Sequence, residues 1–174
     1  HMDTKGWCDI GYHFLVTADG QTWEGRPIER NGAHVANHNT GNIGVSFVGC
    51  FHTSGCGSFG ESTTPPEGMV QAGAELVGLL AEEHDIAITT SSVKGHRDHS
   101  GAWTTCPGDH LHKRLGDIRA IAKNGGPIAP APPTPPATPT PPEQPDTPPP
   151  TSTKPGKVSG VVWDLNVTWS PSSQ

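Results

Sequence analysis

The pattern of apolar and polar residues over the first 124 positions predicts strands and helices in mixed order. Residues 12–17 and 22–24 predict a β-hairpin, because the Asp-Gly pair between them suits a turn that requires positive φ. Residues 43–48 are apolar at nearly every position, which is typical of a central strand buried on both faces. Residues 93–95 predict one more short strand.

Two helices are expected to cover this sheet. The first is predicted to begin within residues 63–67, where a threonine cap precedes two prolines and a glutamate, and to end near Glu83. Its core-facing stripe is predicted to consist of Met69, Ala72, Leu76, Leu79 and Leu80. The second helix is predicted over residues 109–122, with an apolar face of Leu111, Leu115, Ile118 and Ile121. These elements predict an α/β fold in which α-helices flank a mixed central β-sheet.

The composition changes sharply after residue 124. Residues 125–157 hold 14 of the chain's 19 prolines and almost no apolar residue, which predicts a disordered, extended Pro-rich linker. Residues 158–174 are rich in β-branched and aromatic residues, which predicts a strand. Because one strand cannot bury itself, we expect either the start of a further β module or a tail that pairs with a sheet edge.

The overall charge excludes some partners. A net charge of −6 and a pI near 5.9 argue against nucleic acid, which requires clustered Lys and Arg. The apolar runs are far shorter than the roughly 20 residues that cross a bilayer, so we expect no membrane span. We expect a monomer.

Three of the four cysteines bear on the redox compartment. Cys50 and Cys56 flank a short glycine-containing loop whose ends could approach closely enough for a disulfide. Such a bridge would indicate an oxidising compartment, whereas two free thiols would fit a reducing one. Cys8 has no evident partner.

The fourth cysteine belongs to a candidate metal site. His96 and Cys106 stand with nine residues between them, in a loop bracketed by turn residues. Zinc binds imidazole nitrogen and thiolate sulfur readily, and a catalytic zinc uses three protein ligands and keeps one open position. This spacing also arises by chance, and a third ligand has to come from elsewhere in the chain.

Four short motifs, taken in order, carry a more specific signal. They are Gly11-Tyr12-His13-Phe14-Leu15, Gly32-Ala33-His34, Gly95-His96-Arg97-Asp98 and Cys106-Pro107-Gly108. Together they resemble the zinc amidases that include peptidoglycan recognition proteins and bacteriophage amidase-type lysozymes. The resemblance implies the same mixed sheet, a Zn²⁺ cofactor held by His96 and Cys106, and hydrolysis of the amide that joins N-acetylmuramic acid to L-alanine in peptidoglycan.

The resemblance also implies roles for individual side chains. Tyr12 would lie beside the zinc and donate to the developing oxyanion, and Thr104 would stabilise the tetrahedral intermediate. The groove for sugar and peptide would be lined by His13, Glu24, Arg26, His34 and Asn39. Simpler explanations stay open, since Tyr12 also suits a core aromatic and His34 a hydrogen-bonded loop histidine. We expect the remaining histidines to be solvated: His38, His52, His84, His99, His110 and His112.

One departure from the family pattern concerns the first zinc ligand. The family's opening strand ends in a histidine that has no counterpart before residue 1, so we expect the chain as it stands to bind zinc weakly and to hydrolyse peptidoglycan poorly. The alternative function is a recognition module that binds peptidoglycan without cutting it. Cys106 favours the enzyme, because non-catalytic relatives usually carry another residue there, often serine. Either function predicts a secreted or cell-envelope protein, in innate immunity or bacterial cell-wall degradation.

Overall fold

The computed structural model describes residues 9–53, 56, 64–125 and 163–168, the last group at the level of the backbone. Its strands are β1 (Phe14–Val16), β2 (Thr22–Glu24), β3 (Asn42–Phe47), β4 (Val93–Gly95) and β5 (Trp163–Thr168). Its helices are α1 (Glu67–Glu83), α2 (Asp109–Lys113) and α3 (Leu115–Lys123), and a 3₁₀ turn covers His96–Asp98.

The five described strands form one mixed sheet in the order β2-β1-β3-β5-β4. β1 runs parallel to β3, whereas the β1–β2, β3–β5 and β5–β4 pairs are antiparallel. Every residue of β3 is buried, as its apolar run predicts. The mixed sheet flanked by helices confirms the predicted fold class.

The β1–β2 hairpin forms with the predicted turn. Gly20 adopts a φ of +82°, a conformation that glycine reaches without steric cost. The Thr17 amide donates to the Gln21 carbonyl at 2.9 Å and closes the turn.

The predicted threonine cap of α1 is wrong. The helix begins at Glu67, and Pro66 occupies the cap position with an extended ψ of 148° and no capping side-chain hydrogen bond. The two consecutive prolines explain the difference, because a residue that precedes proline is kept out of the helical region. This restriction excludes Thr64 and Pro65, and the extended backbone of Pro66 leaves Glu67 as the first helical residue.

The buried face of α1 is also rotated from the predicted stripe. Met69 and Leu80 are buried as expected, but Leu79 is 55% exposed, while Val70, Ala74 and Val77 are fully buried. Gly73 lies directly against the ring of Phe47 in β3, where any side chain would collide with it. The buried face of the helix therefore consists mainly of small and β-branched residues together with Met69 and Leu80, and Leu79 lies outside it.

The predicted closing helix is split into α2 and α3 at Arg114. Leu111, Leu115 and Ile118 are buried as predicted, and Ile121 packs at the edge of the core. The Arg114 guanidinium bonds both Glu67 and Asp117, which ties the junction to the start of α1.

The remaining sequence-based expectations fall partly outside the described residues. Cys50 and Cys56 form a disulfide with a Cα–Cα distance of 5.9 Å. Cys8 and linker residues 126–157 lie outside the described residues, so the linker stays a prediction. The strand expected in the final segment is β5, which lies inside the sheet; the prediction that a further module starts there is not tested by this pairing. No helix in the described ranges is long and apolar enough to span a bilayer.

Candidate functional site

The end of β4 delivers His96. The strand stops at Gly95, and His96 opens the 3₁₀ turn that follows, at the carboxyl end of the strand as predicted. The Asp98 carboxylate accepts the Gly95 amide at 2.9 Å and pairs with Nε2 of His112 at 2.8 Å. The backbone that carries His96 is therefore fixed from both sides of the turn.

The loop that carries Cys106 folds back onto this turn. The Arg97 amide and its Nε both donate to the Cys106 carbonyl at 3.1 Å. The same guanidinium bonds the Thr105 carbonyl and the Asp109 carboxylate. A Cβ on Gly95 would lie 2.9 Å from Cδ of Pro107, so the two segments are in close contact. Arg97 thereby holds the neighbours of His96 against those of Cys106, whose thiol is buried.

Thr104 lies on the same loop. Its Oγ1 accepts the Cys106 amide at 3.1 Å, which leaves the hydroxyl hydrogen to be donated elsewhere. Thr104 therefore lies next to Cys106, and its role in stabilising an intermediate stays a prediction.

Tyr12 and His34 are in contact with each other. Their ring centroids are 5.5 Å apart, and both side chains are buried. His34 Nδ1 bonds the Gly11 carbonyl at 3.1 Å, while Asn39 Oδ1 accepts the backbone amides of His34 and Val35 at 2.9 Å each. These two hydrogen bonds from the backbone to Asn39 fix the loop that carries His34.

His34 is neutral in this setting. Burial lowers its pKa to about 4, the bond to Gly11 opposes the shift, and the nearby His13, His96 and His99 lower the pKa further. The Gly11 carbonyl fixes the proton on Nδ1, so Nε2 carries a lone pair. That Nε2 is buried and has no hydrogen-bond partner among the described residues.

His13 is held by the backbone on both ring nitrogens. Nε2 donates to the Arg30 carbonyl at 2.8 Å, and Nδ1 accepts the Gly44 amide at 2.9 Å. The side chain is 2% exposed, and burial lowers its pKa. Both ring nitrogens are therefore engaged, and neither is left for a metal or a sugar. Through these two bonds His13 connects Gly44 of β3 to the loop that contains Arg30. Its predicted substrate contact stays a prediction.

Glu24 and Arg26 lie at the outer edge of the sheet. Glu24 is exposed opposite Phe14, and Arg26 donates to the Asn31 carbonyl at 2.7 Å. A cavity of about 350 Å³ lies near this edge, and its lining includes His13, Arg30, Asn39, Asn42 and His84. Two of the five predicted substrate residues, His13 and Asn39, therefore share one cavity. A larger cavity between α1 and α3 contains none of the predicted site residues.

The prediction that the other histidines are solvated is wrong for His52 and His99, which are buried. His99 is 5% exposed, and its ring lies 5.2 Å from that of His38, whose Nε2 bonds the Ser100 carbonyl at 2.9 Å. Burial, with Lys94 nearby, lowers the pKa of His99 to about 4. No pattern in the sequence around His99 signals this burial.

The donor chemistry of His96 and Cys106 fits zinc, since nitrogen and sulfur are its preferred protein ligands. Within the described ranges, no three His, Cys, Asp or Glu side chains converge closely enough to hold a metal ion. The described residues therefore offer His96 and Cys106 on two segments that are in contact and, at His34, one buried ring nitrogen without a hydrogen-bond partner among them.

The comparisons with known proteins bear on this arrangement. A family model described as N-acetylmuramoyl-L-alanine amidase matches residues 1–109, which is more than half of the chain. The chain belongs to the N-acetylmuramoyl-L-alanine amidase family. The resemblance that the four motifs indicate is thereby confirmed.

Among curated members of the amidase family, the chain is 36% identical over 115 residues to peptidoglycan-recognition protein SC1a of Drosophila melanogaster. The match covers 66% of this chain and 56% of the relative, so the chain spans little more than half of that protein.

Two solved structures share the fold. Apis mellifera PGRP-SA is similar with a TM-score of 0.54 and 30% identity, over 67% of this chain and 64% of the other. The N-acetylmuramoyl-L-alanine amidase LysC from Clostridium intestinale URNW is similar with a TM-score of 0.55 and 25% identity, over 68% of each chain. These similar proteins therefore include recognition proteins and a named amidase.

Proposed function

We propose that this chain is the core of a zinc-dependent amidase that hydrolyses the bond between N-acetylmuramic acid and L-alanine in peptidoglycan. The observation that carries the proposal is the contact between the His96 turn and the Cys106 loop, which Arg97 holds together through the Cys106 carbonyl. The turn carries the imidazole of His96, and the loop carries the buried thiol of Cys106. Imidazole nitrogen and thiolate sulfur are donor types that zinc accepts in catalytic sites.

The proposal assigns roles in amide hydrolysis to further side chains. Zinc held by His96 and Cys106 would supply an acidified water and polarise the scissile carbonyl. Tyr12 is positioned by its contact with His34 and would donate its hydroxyl to the developing oxyanion. Thr104 would donate its hydroxyl hydrogen from the adjacent loop, because its oxygen already accepts the Cys106 amide.

Substrate contact is proposed for the groove residues. His34 is neutral, so its Nε2 would accept a hydrogen bond from a sugar hydroxyl or a peptide amide. Asn39 would act by holding the His34 loop, and Glu24 and Arg26 would meet the substrate at the outer edge of the sheet.

The disulfide supports a location. A Cys50–Cys56 bridge persists in oxidising compartments, which fits a secreted or cell-envelope enzyme whose partner is peptidoglycan or a muropeptide. A monomer is sufficient for this activity, whether the protein acts in innate immunity or in bacterial cell-wall degradation.

The second candidate function is recognition of peptidoglycan without cleavage. Two observations favour it: a relative is named a peptidoglycan-recognition protein, and no group of three or more metal-binding side chains occurs within the described residues. A binding module needs the groove but not the metal.

A muramyl peptide distinguishes the two functions. The chain, and a version extended at its amino end by a strand that ends in histidine, are incubated with the peptide and zinc, and the products are weighed by mass spectrometry. The amidase proposal predicts that the extended version releases the lactyl sugar and a peptide with a new L-alanine amine, and that Cys106→Ser abolishes this release. Calorimetric binding of an intact peptide that the extended version never cleaves would overturn the amidase in favour of recognition.

A further inference from the structure

Asp109 is the first residue of α2, and its carboxylate connects two other parts of the chain. Oδ1 accepts a hydrogen bond from Nη1 of Arg97 at 2.8 Å, and Oδ2 accepts one from the Thr53 hydroxyl at 3.1 Å. Arg97 belongs to the turn that His96 opens, whereas Thr53 lies in the segment that follows β3. One side chain therefore joins three segments that are far apart in the sequence.

The backbone brings the segment after β3 against the start of α2 at the same place. The His110 amide donates to the Phe51 carbonyl at 2.9 Å. Gly108 adopts a φ of +91°, and a Cβ on it would lie 2.4 Å from the carbonyl carbon of Phe51, so only glycine allows this approach. The segment after β3 is therefore a fixed neighbour to which Asp109 can bond.

Arg97 connects this junction to the backbone of Cys106. Its amide and its Nε both donate to the Cys106 carbonyl at 3.1 Å, and Nη2 donates to the Thr105 carbonyl. A guanidinium presents all its N–H donors in one rigid plane. The bond from Nη1 to Asp109 consequently also fixes the direction in which Nε and Nη2 point.

Hydrogen-bond geometry matters more than charge at this junction. The hydrogen bond from Arg97, and after it that from Thr53, lowers the pKa of Asp109, so the carboxylate is ionised. The side chains of Arg97 and Asp109 are nevertheless 23% and 43% exposed, and an ion pair so accessible to water adds little by itself. The effect of Asp109 should therefore come from its two directed hydrogen bonds.

We propose that Asp109 is a positioning residue for Cys106: by joining Arg97 to Thr53, it fixes the loop that carries the thiol and keeps the thiol buried before any metal binds. Cys106 is 3% exposed. A donor held in place in advance loses less conformational freedom when it binds its ligand. The benefit to zinc rests on the proposed amidase function, whereas the positioning itself concerns only contacts within this chain.

The reactivity of the Cys106 thiol tests the proposal without metal or substrate. The full chain is alkylated with N-ethylmaleimide under native conditions in the presence of a chelator, and mass spectrometry of its peptides separates label on Cys106 from label on Cys8. Because a buried thiol reacts only when its loop opens, Asp109→Ala should raise the rate at Cys106 about fivefold or more. A rate equal to that of the parent chain would overturn the proposal.

Two further aspartate variants make the result specific. Asp117→Ala is the matched control, because Asp117 also accepts a hydrogen bond from an arginine, Arg114, at 2.6 Å in the first turn of α3. It should leave the alkylation rate unchanged, and an increase as large as that in Asp109→Ala would contradict a specific role for Asp109.

Asp109→Asn should restore slow alkylation. The amide of asparagine can accept the hydrogen bond from Arg97 and donate one to the Thr53 oxygen, so the geometry survives while the charge is lost. This variant also removes any direct effect of the charge on the thiol. Alkylation as fast as in Asp109→Ala would overturn the assignment to directed hydrogen bonds.

Hydrogen exchange separates local opening from unfolding of the whole domain. In Asp109→Ala the amides of Arg97, Cys106 and His110 should lose protection, while those of residues 69–80 in α1 stay as protected as in the parent chain. Equal loss in α1 would contradict a local role. If Asp109→Ala does not fold, Thr53→Ala replaces it and, by removing one of the two bonds, should raise the alkylation rate about threefold. An unchanged rate would then overturn the proposal.

The outcome is independent of whether the chain is an amidase. Alkylation and exchange are measured on the metal-free chain, so a failure to hydrolyse muropeptide leaves the role of Asp109 intact. Conversely, an unchanged alkylation rate in Asp109→Ala would overturn the positioning role alone.

Discussion

His13 and His34 are packed against each other, but their ring nitrogens differ in hydrogen bonding. Their ring centroids are 5.7 Å apart, and both rings are buried. Backbone groups bind both nitrogens of His13, whereas His34 keeps a buried Nε2 without a partner in the described part of the chain. Of the two, only His34 can accept a hydrogen bond from a ligand without first breaking an existing one.

The lowered pKa of His34 predicts a pH dependence of stability. Its folded pKa of about 4 lies below the unfolded value near 6.5, so the unfolded state binds an extra proton between these pH values. The free energy of unfolding should therefore fall as pH decreases through this window, by up to about 1.4 kcal/mol per pH unit for one histidine.

Urea unfolding of the metal-free chain between pH 4.5 and 7 measures this slope. His34→Gln should make the slope shallower, and His99→Gln should act in the same direction because the pKa of His99 is also about 4. If neither substitution changes the pH dependence of the free energy of unfolding, groups other than His34 and His99 cause the loss of stability in acid.

Tyr12 gives a prediction about turnover. In the extended version, Tyr12→Phe should lower muropeptide turnover by about 10²-fold through loss of one transition-state donor, while zinc content stays the same. Turnover and bound zinc are measured on the same preparation. Unchanged turnover would remove Tyr12 from the mechanism, and loss of zinc would make it a support for the metal site.

At the scale of elements, two glycines of α1 provide a matched pair. A Cβ on Gly73 would collide with the Phe47 ring, whereas a Cβ on Gly68 would meet nothing within 4 Å. Gly73→Ala should destabilise the fold by about 1–3 kcal/mol through overpacking. Gly68→Ala should stabilise it by up to about 1 kcal/mol, because alanine favours the helix. Urea unfolding of both variants checks the pair, and equal effects would refute the packing of α1 on β3.

Local patterns predicted most of the elements. The hairpin, β3 and β4 were accessible because alternation, apolar runs and turn chemistry act within a few residues. The helix α1 begins within the predicted range, but its capping residue was predicted incorrectly, because two prolines separate the threonines from the first helical residue. The exposure of Leu79 was also missed by the local pattern. The face that α1 buries depends on the contact between Gly73 and Phe47, which are far apart in the sequence.

At the scale of the whole molecule, ordered motifs were more informative than periodicity. They predicted the family, which is confirmed, and they predicted His96 and Cys106 as zinc ligands, which stays a prediction. The burial of His99 and the pairing of β5 were missed, since each depends on what the rest of the chain places around it. The sequence of residues 158–174 predicts a strand, but nothing in it specifies that β3 and β4 are the neighbours.

The central claim is that His96 and Cys106 hold a zinc ion that drives amide hydrolysis. The decisive measurement determines zinc per chain and the initial rate of L-alanine amine release for three proteins: the chain, the version extended by the histidine-bearing strand, and that version with Cys106→Ser. We expect one zinc and hydrolysis in the extended version, weak zinc binding and poor hydrolysis in the chain, and loss of both with Cys106→Ser. Hydrolysis that continues undiminished in Cys106→Ser, or after the metal is removed by chelation, would contradict it.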